Sequence, residues 1–233
     1  MKTPLNKILV KLEKKSENVY TFANGHEIYF YNGEESYKDG TYNPNNYVRI
    51  YGEVAAVPER IAKDDKYIVY ADSETILYED CIVPEVQVGD RVYFEYITVQ
   101  DSNFIEIEGT MYYAINYKHI ICAVRNKEII PIGGHVLSEP YYGEGVHVAN
   151  MPDGSTIRVK KIGSFELPVY EPLPNQAVVK HTGTPLKGFN NEVSMGDIIL
   201  IASKRNFRNT IEGKEYYTTR EIEIEAILGH ETK

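Results

Sequence analysis

The sequence predicts an all-β protein made of two copies of one module in tandem, on three observations. First, a block repeats. Val88-Gly89-Asp90-Arg91-Val92-Tyr93-Phe94 returns as Met195-Gly196-Asp197-Ile198-Ile199-Leu200-Ile201. Gly109-Thr110-Met111-Tyr112-Tyr113 returns as Gly213-Lys214-Glu215-Tyr216-Tyr217, and each Tyr pair is followed seven residues on by an apolar strand, from Ile120 or from Ile224. A self-repeat of this length sets the architecture before any single element does. Second, 20 tyrosines, no tryptophan and many short Val and Ile runs favour strands. Third, no stretch carries apolar residues at helical spacing. The modules are assigned to residues 1–126 and 127–233, each long enough for its own core.

The elements follow in order. Pro4-Leu5-Asn6-Lys7-Ile8-Leu9-Val10-Lys11-Leu12-Glu13 reads as a first strand, with Ile8, Val10 and Leu12 alternating with Leu9 and Lys11. Residues 14–47 are polar, with glycines and tyrosines, and contain a hairpin pattern, Val19 to Phe30, around Asn24-Gly25. Arg49 to Val57 is the next core strand, stopped by Pro58. Residues 59–87 form an excursion whose Tyr67–Tyr70 and Thr75–Tyr78 runs read as a second hairpin. Each repeated block is a Gly-Asp turn leading into a strand. Arg125-Asn126-Lys127-Glu128 is too short for a flexible linker, so the modules abut. Ile129 to Leu137 opens the second module, Ser138 to Asn175 is irregular with a turn at Pro152-Asp153-Gly154-Ser155, and Gln176 to His181 is the counterpart of Gly52 to Val57. Glu221-Ile222-Glu223-Ile224-Glu225 alternates as a strand with one solvated face. The buried set expected from these strands is Val92, Phe94, Ile120 and Val124, with Ile199, Ile201, Ile224 and Leu228.

Charge and composition narrow the function. The net charge is −9, with 13 basic and 20 acidic residues in 1–126 against 12 and 14 in 127–233. No basic stripe is present for phosphate contacts, so a nucleic-acid partner is not expected. Cys81 and Cys122 read as free thiols in a reducing compartment, with a single disulfide as the alternative. With no apolar run long enough for a signal peptide or a span, the expectation is a cytoplasmic protein with no membrane partner.

Catalytic and metal patterns are not found. His26, His119, His135, His147, His181 and His230 stand at no metal-ligand spacing, so no metal or other cofactor is expected. There is no nucleophile elbow, phosphate loop or dinucleotide fingerprint, so no enzyme activity is expected. Asp90 and Asp197 occupy equivalent turns, which assigns them to holding those turns rather than to paired acid–base work. The adjacent tyrosines of each Tyr pair fall on opposite sides of a strand and are assigned to packing.

Laid out in this order, the pieces resemble the GroES family of co-chaperonins, as two modules in tandem. They are Pro4-Leu5-Asn6-Lys7-Ile8-Leu9-Val10-Lys11, a long loop, Gly52-Glu53-Val54-Ala55-Ala56-Val57, the Val88–Phe94 block, the Gly-x-x-Tyr-Tyr hairpin and the closing strand. The resemblance implies small irregular β-barrels, a homo-oligomeric ring, and a chaperonin as partner. It also implies that the first long loop docks through a short hydrophobic tripeptide. Where the family has Gly-Gly and three aliphatic residues, this chain has Gly25-His26-Glu27 and then Ile28-Tyr29-Phe30, which makes Ile28, Tyr29 and Phe30 the docking candidates. In the second module Val146-His147-Val148 and Phe165-Glu166-Leu167 occupy the corresponding stretch without the aliphatic pattern. The implied function is a cap that assists protein folding by binding alone. The alternative is a structural assembly protein, phage or bacterial, that uses the same barrels as packing modules.

Overall fold

The computed structural model describes residues 3, 6–11, 19–21, 27–29, 37–38, 41–42, 50–62, 81–95, 104–184, 192–202 and 207–231. The chain runs through β1 (Lys7–Lys11), the ribbons β2 (Val19–Thr21) with β3 (Glu27–Tyr29) and β4 (Tyr37–Lys38) with β5 (Thr41–Tyr42), and β6 (Tyr51–Ala56). A ribbon of β7 (Ile61–Ala62) with β8 (Cys81–Ile82) precedes β9 (Arg91–Phe94), β10 (Phe104–Ile107), β11 (Thr110–Asn116), β12 (Ile120–Arg125) and β13 (Glu128–Pro131). The second half holds β14 (His135–Pro140), β15 (Val146–Asn150), β16 (Thr156–Ile162), β17 (Phe165–Pro168) and β18 (Gln176–Thr182). It ends with β19 (Asp197–Ile201), β20 (Phe207–Ile211), β21 (Lys214–Arg220) and β22 (Ile224–His230). The protein is all-β: among the described residues the only helical pieces are two 3₁₀ turns, Tyr117–His119 and Glu221–Glu223. Among the described residues no helix is long and apolar enough to cross a membrane.

Two antiparallel sheets carry the fold, and their strand orders match. The first runs β10-β11-β1-β6-β9-β12-β13; the second runs β20-β21-β14-β18-β19-β22. The match extends to detail. β1 and β6 slip register between Leu9 and Val10, and β14 and β18 slip between Leu137 and Ser138. Val10 pairs with Tyr113 as Ser138 pairs with Tyr217, and Phe94 with Ile120 as Ile201 with Ile224. Gly89 and Gly196 take φ of 91° and 93°, a conformation open to glycine but not to a side chain, and their N–H groups donate to Val54 and Val179 carbonyls at 2.9 and 2.8 Å. Among the described residues no strand pairing closes either sheet into a barrel; both remain open.

Side-chain alternation divides each sheet into an inner and an outer face. The first core gathers Ile8, Val10, Val54, Val92, Phe94, Ile115 and Ile120; the second gathers Val136, Ala177, Val179, Ile199, Ile201 and Tyr217. A third cluster joins the sheets: Tyr93, Ile121 and Cys122 pack on Leu137, Ile211 and Tyr216. Tyr216 and Tyr217 thus face opposite sides, as alternation requires. At the rim of this junction Arg91 pairs with Glu212 at 3.1 Å, and the Tyr93 hydroxyl donates to the Glu212 carboxylate while accepting the Glu212 N–H, both at 3.1 Å. Burial pushes the Tyr93 phenol up to about 12. On the other side Arg220 reaches Glu95 at 3.4 Å and the Lys118 carbonyl at 2.9 Å.

Several expectations are corrected. Val92, Phe94, Ile120, Ile199 and Ile201 are buried, but Val124 and Ile224 are only partly so, and Leu228 is 50% exposed. The register slips twice along β19–β22, between Ile198 and Ile199 and between Leu200 and Ile201, which turns Leu228 out of the core pattern. Residues 129–137 do not form one strand. Asn126 and Lys127 adopt left-handed φ of 51° and 70°, so a tight hairpin folds β13 back onto β12 in the first sheet; Gly133 and Gly134 then redirect the chain into β14. The stretch 221–225 begins as a 3₁₀ turn, because the Glu223 carboxylate accepts the Arg220 N–H and tightens the backbone before β22 starts. The hairpin read at Tyr67–Tyr78 lies outside the described residues.

Candidate docking surface

Between β14 and β18 the chain does not wander, as its polarity suggests, but builds a third antiparallel sheet, β15-β16-β17. A neck ties it to the second sheet: Tyr141 N–H donates to the Gln176 carbonyl at 3.0 Å and Leu173 N–H to the Tyr141 carbonyl at 2.7 Å. Two turns set its register. At the first, Asp153 Oδ1 accepts the Ser155 N–H at 2.9 Å and its hydroxyl at 2.6 Å, and these bonds hold the Asp153 carboxyl below its ordinary range. At the second, Gly163 takes φ of 63°, so Ile162 pairs with Phe165 across a two-residue Gly-Ser tip.

The faces of this sheet differ. One carries Val159, buried, with His147 and Pro168 paired beside it. The other carries Ile162 opposite Phe165, Leu167 opposite Lys160, and Val148 opposite Arg158. Ile162, Phe165, Leu167 and Val148 are all at least half exposed, Phe165 at 73%. The Arg158 guanidinium stacks on the Tyr142 ring, 4.0 Å from its centroid, which braces the base of the sheet against the neck. His147 Nε2 lies 3.7 Å from Glu166 Oε1, both half exposed. The result is one largely apolar face that also carries Arg158 and Lys160, on a chain whose net charge is negative, while Lys161 falls on the opposite face with Val159. Clustered exposed apolar groups of this kind mark an interaction surface.

The sequence candidates Ile28, Tyr29 and Phe30 occupy the equivalent insertion, between β1 and β6. The backbones of Ile28 and Tyr29 pair with Tyr20 and Val19 in the β2–β3 ribbon. Phe30, and the side chains of all three, lie outside the described residues. The structure therefore places the two insertions at matching points of the two sheets and describes the apolar face of the second in full. Val148, Phe165 and Leu167 were in view from the sequence; Ile162 was missed. The signal that finds it is the two-residue Gly-Ser turn, which fixes the register and so puts Ile162 on the face of Phe165.

Asp90 and Asp197 do the same local job. Their Oδ2 atoms accept the N–H of Gln87 and Ser194, each at 2.7 Å. Among the described residues no three His, Cys, Asp or Glu gather to hold a metal. Neither Cys81 nor Cys122 is in a disulfide. Comparison with protein-family models and with curated protein sequences finds no match for this chain.

Proposed function

We propose that this protein is a co-chaperonin-like cap that assists protein folding by docking on a chaperonin through its two long insertions, with a mechanism of binding alone. The observation that carries this reading is the apolar face of Ile162, Phe165, Leu167 and Val148. It sits at the tip of an insertion between the first and second core strands of its sheet, where the GroES-like resemblance puts the docking loop. Each contact is small, and several copies of the tip acting together supply avidity. A hydrogen-bonded tip loses less conformational entropy on docking than a free loop.

A second reading has its own support. All three strands of this insertion are paired, as suits a packing module in a structural assembly better than a loop that orders on docking. The discriminating experiment mixes the protein with a chaperonin and ATP and measures binding by sedimentation, for the native chain, for Ile162→Ser/Phe165→Ser/Leu167→Ser, and for Ile28→Ser/Tyr29→Ser/Phe30→Ser. The cap reading expects binding by the native chain, and its loss in the first variant at unchanged melting temperature. No binding by the native chain rejects the cap in favour of the assembly module.

A further inference from the structure

Strand alternation sorts the charges of the third sheet as it sorts the apolar residues. Residues paired directly across strands share a face. Lys160 therefore lies in one row with Val146 and Leu167, and Arg158 lies in a neighbouring row with Val148. On the other face Lys161 stands opposite Glu166, which is also 3.7 Å from His147. Glu166 is the one acidic residue in β15, β16 and β17, so the apolar face carries two cations and no carboxylate. Asp153, in the turn that joins β15 to β16, has its Oδ1 atom occupied by the N–H and hydroxyl of Ser155. The face is positive on a protein whose net charge is −9.

Both cations are exposed, but their settings differ. The Arg158 guanidinium is stacked on Tyr142. Lys160 is on the middle strand between two apolar neighbours, and among the described residues no carboxylate pairs with it. In the free protein water solvates its ammonium at the end of a long stem. A partner that covers Leu167 also covers Lys160 and removes that water. An ammonium buried without a counter-charge opposes docking, whereas one that meets a carboxylate favours it. The face therefore disfavours a purely apolar groove and favours one that carries acidic side chains. An anionic membrane also offers negative charge, but it meets the field of the whole protein, whose net charge it repels. A groove meets this face alone.

We propose that this face recognises an apolar groove on a partner protein whose rim carries carboxylates, set to meet Lys160 and Arg158 once Ile162, Phe165 and Leu167 are seated. The apolar residues supply the buried area, and Lys160 chooses among grooves of similar shape by penalising those without an acid. The inference rests on the reading of this face as the docking surface and adds the charge of what receives it.

The test uses two variants of equal net charge, Lys160→Gln and Lys161→Gln, which remove neighbouring ammonium groups from opposite faces of β16. Melting temperature is the control for folding. Binding is measured to a chaperonin with ATP, and to a helical peptide whose apolar face is flanked by glutamates, beside the same peptide flanked by lysines. The native chain is expected to bind the glutamate peptide and not the lysine peptide. Lys160→Gln is expected to weaken binding by about tenfold, and Lys161→Gln by less than about twofold. Equal losses in the two variants overturn the proposal, and so does equal binding of the two peptides; in both cases a chaperonin that is still bound leaves the cap reading standing. A chain that binds the glutamate peptide through Lys160 but ignores the chaperonin keeps this inference and rejects the cap. A chain that binds neither probe overturns both. Binding of the native chain to phosphatidylserine vesicles, lost in Lys160→Gln, overturns the groove in favour of a membrane.

Discussion

Arg125 holds Asp90 with two hydrogen bonds, Nε to Oδ1 at 2.9 Å and Nη2 to Oδ2 at 2.7 Å, and the Asp90 side chain is only 4% exposed. The same carboxylate accepts the Gln87 N–H, and Arg125 Nη2 also donates to the Glu85 carbonyl at 2.9 Å. In the second sheet Asp197 keeps its backbone bond, but its cross-strand partner is His230, with Nδ1 2.9 Å from Oδ1 and a mostly exposed ring. Asp90 is buried while Arg125 is 30% exposed, so removing the carboxylate loses its charge-assisted bonds without stranding a buried charge. Asp90→Ala is expected to cost about 3 kcal/mol by denaturant unfolding. Asp197→Ala is expected to cost less, near the roughly 1–3 kcal/mol of a lost turn acceptor. Equal costs would contradict this assignment.

The burial differences give a graded series in the second core. Ile199 and Ile201 are enclosed, so truncation of either to Ala is expected to cost about 2–5 kcal/mol. Leu228→Ala is expected to change stability by no more than about 0.5 kcal/mol in the isolated chain. Thermal unfolding checks the order, with Ile224→Ala, partly buried, falling between the two.

His135 makes stability depend on pH. It is 4% exposed, its Nδ1–H donates to the Ile132 carbonyl across 2.6 Å, and burial pushes its pKa down to about 4. The unfolded chain binds this proton with an ordinary pKa near 6.5, so between those values it takes up a proton that the folded chain refuses. The contribution is complete above about pH 6.5 and is lost as pH falls toward 4, on the order of 3 kcal/mol in all. Glu95, held below its ordinary range against the effect of its burial by its bond with His119 and by the charges of His119 and Arg220, adds a loss of the same sign on acidification. His135→Asn keeps a donor for the Ile132 carbonyl and is expected to flatten the upper part of this acid limb in urea titrations run across that pH range.

The two thiols are expected to differ in reactivity. Cys122 is fully buried in the junction between the sheets, and burial pushes its thiol well up from its ordinary value, whereas Cys81 is only half buried. A thiol reagent in excess is expected to modify Cys81 in the native protein and Cys122 only after unfolding. Mass analysis of digested peptides identifies which has reacted, and fast labelling of native Cys122 would contradict the packing at the junction.

Local chemistry in the sequence determined the repeated unit. Glycine before aspartate demands a turn with positive φ, the alternation of Val92 and Phe94, or of Ile199 and Ile201, assigns one face inward, and adjacent tyrosines must part to opposite sides; all of this depends only on neighbouring residues. What the tertiary structure decided depends on partners distant in the chain. The β13 hairpin joins the first sheet because Asn126 and Lys127 accept left-handed backbone, and Leu228 turns outward because β22 slips register against β19. Residues 146–168, polar and irregular to the eye, become a paired sheet whose apolar face exists only once the Gly163 turn sets which residues share a side. The sequence could offer Val148, Phe165 and Leu167 as separate apolar residues, but register across three strands made them one surface with Ile162. In the same way Tyr93 and Tyr216, both plain strand residues by pattern, meet in one cluster only because the two sheets pack face to face on different sides of the same repeat.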